Sequence, residues 1–173
     1  MTTLDPTAQA AVVHGSLREY VVTKLGATFS AHAAIDLGGG EPFDDKAYAE
    51  WLQVRVLDPA RPARMDGPRM PEGYLGRELF HMLNLNIFVR PAKLATSNSL
   101  RLQVLRDTVV RFFVPNARIL VKDYQSDSVT LGHLVVFEID ADRQILDEKE
   151  NELLQWNLVV ALRWSERWVT PEP

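Results

Sequence analysis

Three observations predict an α+β fold, a mostly antiparallel sheet packed by one main helix (99–114) plus an N-terminal helix, with a long Pro/Arg arm. Apolar residues alternate strictly through LFHMLNLNIFVRP, Leu79–Pro91. They recur at helical spacing through Ser99–Val114, and a second long alternating run closes the chain. Period two puts successive side chains on opposite sheet faces, whereas a period near 3.6 makes one helical stripe.

In chain order, Thr7–Leu25 reads as an amphipathic helix: Ala11, Leu17, Tyr20, Val21 and Leu25 form its apolar side, with Asp5 as N-cap, Pro6 at N1 and Gly26 at C′. Thr28–Leu37 is ambiguous, and Gly38-Gly39-Gly40-Glu41-Pro42 is a break. Glu41 and Pro42 stand where a phosphate-binding loop needs Lys-Ser/Thr, so the glycines read as a plain loop. Trp51–Leu57 alternates as a strand, with Leu52, Val54 and Val56 on one side and Trp51, Gln53 and Arg55 on the other.

The stretch 58–76 interleaves Pro59, Pro62, Pro68 and Pro71 with Arg61, Arg64 and Arg69 and lacks apolar periodicity, so it reads as an extended arm. The strand up to Pro91 follows, placing Leu79, His81, Leu83, Leu85, Ile87 and Val89 on one face. In the main helix, Leu102, Leu105, Val109, Phe112 and Phe113 form the stripe, Ser97 or Asn98 is the N-cap, and Pro115-Asn116 ends it. Three strands remain. Arg118–Tyr124 is followed by a turn at Gln125–Ser128; Gly132–Asp140 places His133, Val135, Phe137 and Ile139 together; and 152–168 places Leu154, Trp156, Leu158, Val160, Leu162 and Trp164 together. The acidic segment 140–151 between the last two reads as a solvated loop.

The 173 residues, 46% hydrophobic and 24% charged, suit a single domain spanning 1–173. The absence of cysteine removes disulfides, thiolate metal sites and cysteine nucleophiles. A net charge of −4 argues against a broad grip on nucleic acid. No apolar run approaches the roughly 20 residues of a membrane span, and the first residues carry Asp5 and no basic region of a signal peptide.

The search for chemistry returns no catalytic, cofactor-binding or metal-binding residues. His14, His32, His81 and His133 have no metal-ligand spacing, no nucleophile elbow is present, and Asp44-Asp45 and Glu148/Glu150 read as acids facing water. A small soluble enzyme with a site at His81 and His133 is the alternative from another class. Both long strands are apolar on their second faces too, through Phe80, Met82 and Phe88 and through Leu153, Val159 and Ala161. Either the two helices suffice to cover the sheet, or the N-terminal helix and an identical subunit share the second face.

Leu83–Pro91 (LNLNIFVRP), the helix Ser99–Val114 and Trp156–Trp164 (WNLVVALRW), in this order of elements, resemble the tail-terminator proteins of long-tailed bacteriophages. The resemblance covers most of the chain from Glu50 onward. It implies a structural virion protein without an active site: a homo-oligomeric ring, in this family a hexamer, that caps the tail tube and ends its polymerisation. Its partners would be further copies of itself, the tail tube protein and a head-completion or neck protein, with nucleic acid only passing through the pore. Assembly would occur in the host cytoplasm, with no membrane involved. A head–tail connector is the alternative within the class. The arm and the acidic loop depart in length from the smallest members, so their roles do not transfer. Charge alone nominates Arg61, Arg64 and Arg69 as interface residues, with Glu148 and Glu150 as acidic counterparts across a subunit boundary.

Overall fold

The computed structural model describes residues 3–4, 10–29, 34–38, 42–57, 74–94, 100–123, 129–145 and 153–169. Among these run β1 (Thr3–Leu4), α1 (Ala10–Leu25), β2 (Ile35–Asp36), β3 (Glu50–Leu57), β4 (Tyr74–Val89), α2 (Arg101–Val110), β5 (Arg118–Asp123), β6 (Val129–Ile145) and β7 (Leu154–Val169). The fold is α+β. The sheet has the order β2-β3-β4-β7-β6-β5, β1 adds to β7, and every pairing except β2 with β3 is antiparallel.

The alternating strand around which the sequence is organised becomes β4, and it lies centrally. It pairs with β7 from Tyr74↔Val169 to Val89↔Leu154, and with β3 from Met82↔Leu57 to Val89↔Glu50. Leu83, Leu85, Ile87 and Val89 meet the α2 stripe of Leu102, Leu105 and Val109 and the β7 residues Leu158, Val160, Leu162 and Trp164 in one continuous core. Each such burial stabilises by about 1.5–3 kcal/mol.

Both helices lie on this same face. Val13, Leu17, Val21 and Leu25 of α1 recur every fourth residue and join the core at 0–1% exposure. Val12 is buried beside them, whereas Ala11, an expected stripe member, is exposed. Helix α1 ties the two margins of the sheet together: Ser16 Oγ accepts from the Lys122 amide on β5 (3.0 Å), and Arg18 donates to the Gly38 carbonyl just past β2 (3.3 Å). Tyr20 donates to the Phe112 carbonyl at 2.8 Å, joining α1 to the end of α2. Of the two readings left open, cover of the second face by the N-terminal helix is therefore absent. The buried apolar residues of α1 serve the first face.

Other expectations shift. The main helix is Arg101–Val110, shorter than 99–114: Leu100 takes the N-cap position, and i→i+3 bonds from Phe112 and Phe113 to the carbonyls of Val109 and Val110 tighten the exit turn. Ser97 and Asn98 lie outside the described residues. Asn116, in the left-handed region at φ 67°, turns the chain into β5, as expected of a short polar residue there. Strand β6 runs on to Ile145, so 140–145 is strand where a loop was expected. Register shifts between Val136 and Glu138 and between Ile139 and Ala141 let it follow β7, and they move Ile139 onto the core side, away from His133 and Val135. Residues 74–76 of the expected arm belong to β4. The rest of the arm, the turn at 125–128 and the N-cap Asp5 with Pro6 fall outside the described residues, as does the remainder of the acidic loop, 146–151.

Candidate functional site

The face opposite the helices carries the polar chemistry of the sheet. Cross-strand register brings Gln53 of β3 beside Asn86 of β4, and Asn86 beside Asn157 of β7. Their amides form a directed chain. Asn86 Oδ1 accepts from Gln155 (3.1 Å) and Asn157 (2.8 Å), Asn86 Nδ2 donates to Gln53 Oε1 (3.2 Å), and Gln53 Nε2 donates to Asp36 Oδ2 (3.3 Å). Asn157 also donates to Asn84 at 2.7 Å. From Gln155 and Asn157 through Asn86 and Gln53, the donors point towards the Asp36 carboxylate, so these bonds polarise one another in one direction, and the Asn157–Asn84 bond is a side branch. Asn86, at the centre, is 8% exposed, which makes its pairing obligatory.

Asp36 is also held by Arg55 (2.6 Å) and by the Gly38 amide (2.9 Å). Burial raises its pKa, but the hydrogen bonds from Arg55, Gly38 and Gln53 and the charge of Arg55 outweigh this and hold the carboxyl below its ordinary value. Gly38 is required by geometry. Its φ is +66°, and a Cβ there would stand 3.0 Å from Arg55 Nη1.

At one end of this face an open cleft of about 450 Å³ is lined by Asp36, Phe43, Asp45, Trp51, Arg55 and Phe88 among others. Trp51 and Phe88, opposite each other in register, stack at 4.7 Å, and the Arg90 guanidinium lies 4.6 Å from the indole centre. Asp45 binds Arg90 at 2.8 Å, and Asp44 caps a 3-10 turn by accepting from the Lys46 amide. The Asp44-Asp45 pair faces water as expected, Asp44 being exposed and the Asp45 side chain 45% exposed, and each acid also has a structural partner. At the other end of the face, Phe80 and Phe137 meet edge to face at 5.3 Å, and Phe137 is 48% exposed.

Helix α2 is fastened over the opposite face by ions. Arg101 grips Glu50 of β3 through two bonds (2.7 and 2.5 Å), and Glu50 raises the already high pKa of Arg101 further. Arg106 binds Asp142 of β6, which also accepts from the Trp156 indole at 2.7 Å.

Of the residues nominated from sequence, Arg61, Arg64, Arg69, Glu148 and Glu150 lie outside the described residues. His81 and His133 do not converge. His81 pairs with Leu162 and is buried on the core face, 6.4 Å from the His14 ring, whereas His133 is exposed and shares a face with Val135, which pairs with Arg163. Among the described residues no group of three His, Asp or Glu could hold a metal ion, and no helix is long and apolar enough to cross a membrane. Asp36, Gln53, Arg55 and the amides Asn84, Asn86, Gln155 and Asn157 were not nominated. Their signal was amides at alternating positions of strands otherwise apolar on both faces.

No model of a known protein family matches the chain, and no curated protein matches it. A solved structure whose name states no activity shares the fold at a TM-score of 0.50 and 11% identity, covering 95% of this chain and 99% of the other. At that identity the likeness concerns the fold alone.

Proposed function

We propose that this chain is a structural assembly subunit, and that it acts as a ring-forming tail terminator of the kind found in long-tailed bacteriophages. One observation carries the reading: the second face of the central strands is covered by no described α-helix, yet it bears ordered amides, stacked aromatics and a phenylalanine pair of which Phe137 is exposed. Large apolar side chains on an uncovered face mark a surface completed by another chain. An enzyme would be expected to hold reactive groups in reserve beside its cleft. Here Asp36 is engaged by Arg55 and Asp45 by Arg90, which favours recognition over catalysis.

The action is geometric. A ring whose one end copies the docking surface of the tail tube, and whose other end lacks the edge that adds a further tube subunit, stops growth and offers a platform to a head-completion protein. Six copies, a virion location at the neck, assembly in the host cytoplasm and passage of nucleic acid through the pore belong to this reading. Arg61, Arg64 and Arg69 facing Glu148 and Glu150 of a neighbour are its charge contacts. A head–tail connector would form a similar ring. The two separate when the purified ring is added to polymerising tail tubes, because a terminator arrests elongation and a connector leaves it unchanged.

Native mass spectrometry of the purified chain tests the core of the proposal. A closed species at a sixfold multiple of the 19.6 kDa chain supports it. A species that stays at the mass of one chain at every concentration overturns it.

A further inference from the structure

Resting on the ring reading, we propose that the ring closes head to tail, with the outer stripe of α2 on one copy docking onto the uncovered sheet face of the next at Phe80, Met82 and Phe137. The occupant of that face is a second copy of this chain.

The helix supplies the first half. Its buried stripe is Leu102, Leu105 and Val109. On the other side, Leu100, Val104, Asp107 and Arg111 fall at i, i+4, i+7 and i+11, which places them in one line along the helix and its two flanking residues. All four are exposed, and the first two are large and apolar at 61% and 45%. A helix already fastened to its own sheet by the Arg101–Glu50 and Arg106–Asp142 pairs presents this stripe rigidly.

The sheet supplies the second half. The β6 register shift between Val136 and Glu138 coincides with Phe137, which meets Phe80 edge to face. Met82 pairs with Ala161 and Asn84 with Val159, so the half-buried Met82 and Val159 continue the patch along the same face around the buried Ala161. The rim carries charge of both signs: Arg163 stands directly opposite Phe80, and Glu138 opposite Ala161. The stripe carries the matching order, two apolar residues followed by Asp107 and then Arg111. Leu100 and Val104 fit the phenylalanine patch, while Asp107, which also accepts from Arg106 of its own helix at 2.8 Å, and Arg111 lie toward the charged rim of Arg163 and Glu138. The amide ladder borders the patch on one side, a polar rim beside an apolar centre as in other protein interfaces.

Position argues for a copy of the same chain over a foreign protein. Helix α2 lies on one side of the sheet and the patch on the other, so the two complementary surfaces of one subunit point in opposite senses. Such a contact is heterologous: it leaves each copy with one surface still open, and repetition closes a ring or continues as a filament.

The test uses one charge-bearing variant on each surface, Val104→Glu and Phe137→Asp, both at exposed positions, with Thr23→Glu as a control at an exposed position on α1, outside both surfaces. Leu100→Asp repeats the helix-side test should Val104→Glu lower the folded fraction seen by circular dichroism. Wild type and Thr23→Glu are expected to form the ring, and each interface variant alone to run at the mass of one chain. Mixed in equal amounts, the two variants are expected to give a species of twice that mass and nothing larger, because Phe137→Asp retains its helix stripe and Val104→Glu its sheet face. A ring that survives both substitutions overturns this contact and leaves the ring reading standing. Variants that break the ring but never pair with each other overturn the helix-to-sheet docking. A wild-type chain that never assembles overturns both.

Discussion

The two faces of the central sheet come from the same strands and differ only in the parity of their residues. On β4, Leu83, Leu85 and Ile87 are fully buried beneath two helices, while of the alternate residues Met82, Asn84 and Phe88 are only partly so and Asn86 is buried by its amide partners. One face holds the subunit together by apolar burial, and the other is organised by amide bonds, ion pairs and ring stacking near water. The contrast separates folding from recognition. Residues of one parity should govern stability, and those of the other should govern what the sheet meets.

The largest expected effect breaks the comparison if it fails. Leu85→Ala removes a fully buried side chain between α2 and β7 and should cost about 2–5 kcal/mol. Val159→Ala, on the half-buried second face, should cost less than about 1 kcal/mol. Urea denaturation of both variants reads the difference directly. Equal losses would mean that the second face is as much core as the first.

Next comes the ionic end of the amide chain. Asp36→Asn removes the charge that Arg55 and Gly38 hold, and about 1–2 kcal/mol should go with it, less than a fully buried pair because the Arg55 side chain is 38% exposed. The pH dependence has a definite sign. The folded-state pKa of Asp36 is depressed, so its contribution is fully present above the ordinary carboxylate pKa near about 3.9 and is lost as pH falls through the lower folded value. Asp36→Asn should therefore flatten the acid limb of the urea midpoint against pH. Gly38→Ala should cost a similar amount, about 1–2 kcal/mol, because it forces a left-handed alanine against Arg55.

A finer cut tests the amide chain itself. Asn86→Ala leaves Gln53, Gln155 and Asn157 without their shared partner and should cost about 1 kcal/mol. Asn84→Ala, which removes a single acceptor from the end of the chain, should cost less. A thermal melt in which Asn84→Ala is the more damaging of the two would relocate the centre of the network.

Parity was legible in the sequence and partnership was not. Strict alternation assigned the core faces of β3, β4 and β7 residue by residue, because a buried face must repeat every second position. It failed on β6, which buries Leu134 and Val136 and leaves the expected apolar face of His133, Val135 and Phe137 outside the core, and whose register shift brings Ile139 to the core side without any glycine or proline to announce it. The α1 stripe was half legible: Leu17, Val21 and Leu25 were recognised, while Val12 and Val13 were missed because two adjacent valines suit a strand as well as a helix. Which face α1 would cover is a long-range matter decided by Ser16 and Arg18 reaching two sheet margins, and no local pattern encodes it. Charge drew attention to Arg61, Arg64 and Arg69. The ordered network instead uses neutral amides, whose meaning appears only once register sets Gln53, Asn86 and Asn157 side by side.

The smallest expected effect is the one that sharpens the comparison most. Phe137 and Phe113 are the same residue type placed on opposite sides of the subunit, at 48% and 1% exposure. Phe113→Ser opens a cavity in the core beside Tyr20 and should cost several kcal/mol, about 3–5 by analogy with other large-to-small core changes. Phe137→Ser returns little area to water, because half of the ring is already there, and forfeits mainly the edge contact with Phe80. The cost to an isolated subunit should be about 1 kcal/mol or less, read as a small shift in the urea midpoint at a concentration too low for assembly. If the second face serves recognition, the penalty of Phe137→Ser should grow as concentration is raised and copies begin to pair, because the wild type then gains a contact that the variant lacks. A penalty independent of concentration would mean that the exposed ring acts only within its own chain.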